Sequence, residues 1–257
     1  MTDYLRNLFS LDGRIALVTG GSSGIGQAMA GALARAGASV VVLARGAAAL
    51  DQTVRNLRAA GCTAAWVRAD LGDRADLERG ARESAGQFGE PDILVNSAAV
   101  NLRPPMTSLT IAEWDQTVAV NLTAPFLLGQ QFGPGMAARG WGRIINIVSQ
   151  QAARAFGNSG AYGASKGGLA SLTRSQSEAW APSGVRCNAL APGFVATPLT
   201  RQTVSDPVRS AALAARTMIG RNGAAGDFEG IAVFLASRAS EYITGQVISV
   251  DGGFSAS

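Results

Sequence analysis

Residues 14–45 read RIALVTGGSSGIGQAMAGALARAGASVVVLAR. Ile15–Val18 is a short continuous apolar run, the pattern of a strand buried on both faces of a parallel sheet. A turn rich in glycine and serine follows, and then Ile25, Met29, Ala32 and Leu33 recur at helical spacing. Gly37 ends that helix, and Ser39–Ala44 is a second buried strand. Strand, glycine turn, helix and strand make a βαβ unit with a right-handed crossover.

The alternation continues along the chain. The pattern predicts a helix over 49–61, a strand over 63–70, and a helix capped by Asp73 that runs to about Phe88. Strand 92–98, helices 111–119 and 123–138, and strand 142–149 follow. A long helix carries Tyr162 to about Trp180, and strand 185–191 comes next. Residues 193–222 are irregular or helical; a helix at 227–237 and a strand at 245–253 close the chain. No linker, low-complexity tract or internal repeat interrupts it. The expected fold is one α/β domain over 1–257: a doubly wound Rossmann sheet of about seven parallel strands with helices on both faces.

Composition narrows the chemistry. Hydrophobic residues make up 47% of the 257, enough for a substantial core, and no apolar run reaches the roughly 18–20 residues of a membrane span. Residues 1–14 lack the apolar core of a signal peptide. Cys62 and Cys187 are too few for a disulfide framework. Together these predict a cytoplasmic protein with no membrane partner. The net charge is +4, but the arginines are scattered singly, so nucleic acid is not an expected ligand. The chain has no histidine, which excludes Ser-His-Asp and Cys-His machinery and histidine-ligated zinc; no metal is expected. Proton transfer falls to carboxylate, tyrosine, lysine or water.

Thr19–Gly26, TGGSSGIG, lies between the first strand and the first helix. Glycines there let the backbone approach a pyrophosphate, and the helix N-terminus supplies N–H groups and positive dipole. A dinucleotide is the expected ligand. At the end of the second strand Ala44 takes the place of the acid that would bind a ribose 2′-hydroxyl, and Arg45 follows. A guanidinium suits a 2′-phosphate, which favours NADP(H) over NAD(H), with NAD(H) possible. The alternative is that Arg45 is a solvated arginine at a strand end.

Of 22 lysines and arginines only Lys166 is a lysine, and it stands four residues after Tyr162, on the same helix face. A phenol ordinarily loses its proton near pH 10, and an adjacent ammonium favours the phenolate. Small residues surround the pair: Gly160, Gly163, Ala164, Ser165, Gly167 and Gly168. The preceding strand delivers Ser149 to the carboxyl edge of the sheet, where ligands bind in such folds. A Tyr–Lys pair can also be surface decoration, and a serine can simply end a strand.

These residues resemble the short-chain dehydrogenase/reductase family over nearly the whole chain. TGGSSGIG matches its cofactor turn, and Ser149 with YGASK thirteen residues on matches its active-site pattern. Asn121 sits at the fourth catalytic position. The resemblance implies Tyr162 as general acid or base, Lys166 lowering its pKa and binding the nicotinamide ribose, Ser149 orienting the carbonyl, and Asn121 holding a relay water. It implies cofactor contacts at Gly20, Ser22, Ser23, Gly24, Ile25 and Gly26, at Asp70 and Leu71 beside the adenine, and at Asn96 and Ala98. Pro192, Gly193, Val195 and Thr197 belong to the loop that holds the nicotinamide amide. Two departures stand out: Ala99 replaces a usual glycine, and Ser23 replaces a basic residue of some NADP-binding members. A homotetramer is the family's expectation.

Within the family, SLDGRIALVTG, NLRPP and VRCNALAPGFVATPLT look most like the gluconate 5-dehydrogenase group, and nearly as much like 3-oxoacyl-carrier-protein reductases. The expected enzyme is an NADP(H)-preferring oxidoreductase passing hydride between the nicotinamide and a small carbonyl or secondary alcohol, such as 5-keto-gluconate. One or both of Arg103 and Arg154 are expected at a substrate carboxylate, with Gln150 and Gln151 as further polar contacts, under a covering loop at about 194–220; the alternative is that these are plain surface arginines and loop glutamines. A non-catalytic dinucleotide-binding regulator is the remaining alternative, against which the four intact catalytic positions stand.

Overall fold

The computed structural model describes residues 2–256. Seven parallel strands form one sheet in the order β3-β2-β1-β4-β5-β6-β7. The first half supplies α1 (Asp3–Phe9), β1 (Ile15–Thr19), α2 (Gly24–Arg35), β2 (Ser39–Ala44), α3 (Ala47–Ala59), β3 (Ala64–Arg68), α4 (Arg74–Phe88) and β4 (Ile93–Asn96). The second half supplies α5 (Ile111–Val118), α6 (Ala124–Ala138), β5 (Gly142–Ile147), α7 (Gly160–Trp180), β6 (Val185–Pro192), α8 (Arg201–Val204), α9 (Pro207–Ala215), α10 (Glu229–Ala236) and β7 (Val247–Val250). The expected Rossmann architecture is present, and its strand order reverses between β1 and β4, which opens a crevice at the carboxyl edge.

Alternation along each strand splits the core. Val18, Val42 and Ile145 face one layer with Met29, Leu33 and Leu235, while Leu17, Val41 and Ile144 face the other with Leu77, Phe132 and Met136. Every residue of β5 is buried, so helices cover both sides. Local chemistry sets the element ends. Asp73 accepts the Asp76 N–H at 2.8 Å and starts α4, and Gly37, at φ 108°, leaves α2 beside Asp12 where a Cβ would collide.

Three local expectations change. β3, β4, β5 and β7 are shorter than the strands expected over 63–70, 92–98, 142–149 and 245–253, because their flanks turn into loops at the sheet edge, whereas β1, β2 and β6 match to within a residue. The N-terminal segment forms α1, which no apolar period announced. The helices foreseen at 111–119 and 123–138 are one continuous rod, joined by a π-turn at Ala119–Thr123 around Asn121. Pro125 has no N–H to give the Asn121 carbonyl four residues earlier, and the wider turn accommodates that gap. Among the described residues, no helix is long and apolar enough to cross a membrane.

Candidate active site

The carboxyl ends of β1, β2, β4, β5 and β6 open into a cleft of about 430 Å3 that receives the glycine turn, the Ser149–Tyr162–Lys166 group and the segment after β6. At its cofactor end the backbone is drawn tight. A Cβ on Gly26 would lie 2.5 Å from the Gly20 carbonyl, and one on Gly20 would lie 2.8 Å from Ala98 N, so only glycine fits either place. Gly24 takes φ +55° beside Thr197. Ser23 caps α2 through no side-chain bond, which leaves the first-turn N–H groups to a phosphate. Thr19 Oγ1 accepts from the Ser97 and Ala98 N–H groups at 3.1 and 3.2 Å, stitching β1 to the strip after β4. This cradle fits a dinucleotide pyrophosphate.

Ser22, Ile25, Asp70, Leu71, Ala98 and Ala99 line the same cleft, as do Pro192, Gly193 and Val195. Asp70 is turned inward on its own loop, its Oδ1 accepting the Gly72 N–H at 2.9 Å. Arg45 stands at the far end, and its carbonyl accepts from Nε of Arg68 at 3.2 Å. Arg68 escaped the sequence reading because a lone arginine at a strand end carries no motif; only the β2–β3 pairing, Ala44 against Arg68, sets its guanidinium against the Arg45 backbone.

Asn96 departs from expectation. It stands opposite Asn146 in the β4–β5 ladder and donates to its Oδ1 at 2.8 Å, and Asn146 bonds onward to Thr173 and Gln176 of α7. Strand alternation turns the side chain into this buried amide chain, so it holds the sheet to α7 and does not line the cleft.

At the other end Ser149 follows β5 and accepts the Gln151 N–H at 3.1 Å. Tyr162 and Lys166 rise from the first turns of α7, with the Lys166 Nζ 5.8 Å from the Tyr162 ring centre. Burial raises the Tyr162 phenol above its ordinary value; the Ser149 hydrogen bond and the charge of Arg103 pull it back down. Lys166, expected as the group that lowers Tyr162, is itself brought down to about 7 by burial and donates to the Ile147 carbonyl at 2.6 Å. Asn121 is wholly buried beneath this group. Its amide closes on both polar atoms of Val100 at 2.9 Å and donates to Ser165 Oγ at 3.1 Å, and Ser165 donates to the Tyr162 carbonyl at 2.8 Å.

Of the expected substrate residues, Arg103 and Gln150 line the cleft and Arg154 does not. The Arg154 guanidinium donates to the Ser255 carbonyl and ties the 150–156 segment to the C-terminal turn, whose Phe254 stacks on Phe156. Arg103 is half-buried, in a left-handed backbone conformation at φ 57°, with Thr203 Oγ1 at 3.4 Å. The segment after β6 passes over this end as the short turn Pro198–Thr200 followed by α8 and α9. It contributes Leu199, Arg209 and Leu213 to the cleft; no sequence motif marks these, since they act only through the fold.

A glycine-floored phosphate cradle, an adjoining Ser–Tyr–Lys group and a substrate chamber under one cover define a nicotinamide-dinucleotide oxidoreductase. Comparison with known proteins makes the family plain. A family model described as enoyl-(acyl carrier protein) reductase matches residues 20–255. The chain is 39% identical to gluconate 5-dehydrogenase of Gluconobacter oxydans (strain 621H), over 98% of each chain. It is similar to the crystal structure of a gluconate 5-dehydrogenase from Burkholderia cenocepacia J2315 in complex with NADP and tartrate, at TM-score 0.93 and 37% identity, covering 98% of this chain and 99% of that one. The 3-oxoacyl (acyl-carrier-protein) reductase of Agrobacterium tumefaciens C58, solved with NADP bound, superposes at TM-score 0.91 and 33% identity over 96% of each chain. The chain belongs to the short-chain dehydrogenase/reductase family and is an oxidoreductase acting on a secondary alcohol or the corresponding carbonyl.

Proposed function

We propose that the chain interconverts a polyhydroxy keto acid and its hydroxy acid with NADP(H), 5-keto-gluconate being the model substrate. The carrying observation is Arg103, a half-buried guanidinium beside Tyr162 whose side-chain bond among the described residues is to a threonine hydroxyl. The acidic residue among the cleft-lining residues is Asp70, at the adenine end, so the substrate end favours an anion. Amides of Asn101, Gln150 and Gln151 add polar lining suited to hydroxyl groups, and each has a side-chain oxygen without a partner among the described residues. The names of the relatives fit the same class of substrate.

In this assignment the nicotinamide carries the hydride, and the chain's own residues manage position and protons. Ser149 holds the substrate oxygen, and Tyr162 gives it a proton in reduction or takes one in oxidation. Lys166 reaches the nicotinamide ribose and passes protons toward Tyr162. The Asn121 side chain is committed to Val100 and Ser165, so its main-chain carbonyl, to which Pro125 has no N–H to give, is the group suited to a relay water. Arg45, with Arg68 beside it, meets the 2′-phosphate. A cytoplasmic homotetramer accompanies this activity; exposed Ile111, Trp114 and Phe126 on α5 and α6 and Val247 on β7 supply apolar surface for it, and light scattering tests it.

The test is oxidation of NADPH, then NADH, followed by absorbance with 5-keto-gluconate, a short 3-oxoacyl thioester and an uncharged diketone. Turnover of the keto acid with NADPH is the expected result. Preference for the thioester would replace the substrate with an acyl chain, a second reading that the family description and the apolar cover residues Leu199 and Leu213 favour.

A further inference from the structure

Arg103 and Arg209 both line the substrate end of the cleft. Arg103 comes from the loop after β4, fixed to the sheet. Arg209 comes from the first turn of α9, on the cover, and shares the cleft-lining face of that helix with Leu213 one turn on. Their charges bear on each other: the nearby Arg209 charge, after burial itself, holds Arg103 below the ordinary guanidinium value. Neither has a carboxylate partner among the described residues, although other arginines of this chain, such as Arg79 and Arg221, have found one. The cover already touches the fixed loop at this spot, since Thr203 of α8 is buried against Arg103.

Like charges carried on two separate segments repel until an anion lies between them. A carboxylate has two oxygens and can accept from both guanidinium groups at once. We infer that Arg209 is a specificity-determining residue, which with Arg103 forms a two-sided clamp for the substrate carboxylate and draws the 201–216 cover closed only over an acid. This inference rests on the keto-acid assignment for its substrate, and goes beyond it in naming the residue and the motion. An uncharged substrate of the same length leaves the pair unneutralised and the cover open, which is selection by repulsion as well as by attraction.

The test uses the full chain loaded with NADPH. D-gluconate is titrated while its affinity and the hydrogen exchange of residues 201–216 are read together. Binding is expected to slow exchange in that segment. Arg209→Gln should weaken D-gluconate by at least about tenfold and remove the slowing, and Arg209→Lys should recover part of both. Arg103→Gln should behave likewise, with the double variant losing less than the two single losses combined. D-gluconate bound by Arg209→Gln as tightly as by the wild type, or bound with exchange at 201–216 unchanged, overturns the clamp. If the wild type binds no D-gluconate, the keto-acid assignment fails and succinate decides the clamp. Slowing by succinate that Arg209→Gln abolishes then upholds it, and its absence refutes it.

Discussion

Lys166 donates from Nζ to the main-chain carbonyl of Ile147 at 2.6 Å, joining the one lysine of the chain to the end of the strand that presents Ser149. The side chain is 1% exposed, and burial brings its pKa from 10.5 down to about 7. A lysine lowered on folding leaves the unfolded chain holding the extra proton between about pH 7 and 10.5, so this group makes stability rise with pH across that window. Urea denaturation near the two ends of the window should show a smaller rise in Lys166→Met than in the wild type. Equal slopes would mean that the ammonium is not desolvated as the structure has it.

Tyr162 answers to two neighbours of opposite origin. Because Arg103 favours the phenolate, Arg103→Gln should raise the pH at which alcohol oxidation switches on, and Ser149→Ala should raise it too. The pH profile of kcat/KM for oxidation reads this directly, and an unmoved profile in both variants would separate these residues from the proton step. Tyr162→Phe should lower turnover by about 10²–10⁴ while leaving thermal stability near that of the wild type.

Asn121 is a clamp before it is anything else. Asn121→Ala removes the partners of the Val100 N–H and C=O, each buried group costing about 1–3 kcal/mol when left unpaired. Thermal unfolding should reveal a loss of about 2–6 kcal/mol, larger than that of Ser165→Ala, which cuts the link from Asn121 to α7 and the bond to the Tyr162 carbonyl. A melting curve like the wild type's would show that the loop at Val100 holds without it.

Arg45 and Arg68 should divide the two cofactors. Arg45→Gln is expected to weaken NADPH by about tenfold, the equivalent of about 1.4 kcal/mol, and to leave NADH affinity nearly as it was. Arg68→Gln should produce a smaller change in the same direction, since its nearest fixed partner is the Arg45 carbonyl. Fluorescence titration with each nucleotide measures both; parallel losses for NADPH and NADH would remove the 2′-phosphate from the account.

The sequence by itself determined the sheet, the glycine turn and the Ser149–Tyr162–Lys166 group, because each is written in local order: buried strands as apolar runs, phosphate approach as glycine spacing, and a shared helix face as an interval of four. Only the tertiary structure decided which of the remaining candidates face the cleft. Asn96 was withdrawn into an amide chain by strand alternation, Arg154 was taken by the C-terminal turn, and Asn121 was committed to Val100. Arg68 and Arg209 entered from positions with no motif, Arg68 reaching the Arg45 backbone through the pairing of β3 with β2 and Arg209 reaching the cleft through the course of the cover after β6. The physical reason is direction. A sequence states which side chain is available, but long-range pairing and helix packing choose the partner that claims it, and a side chain with a partner elsewhere is not free to bind.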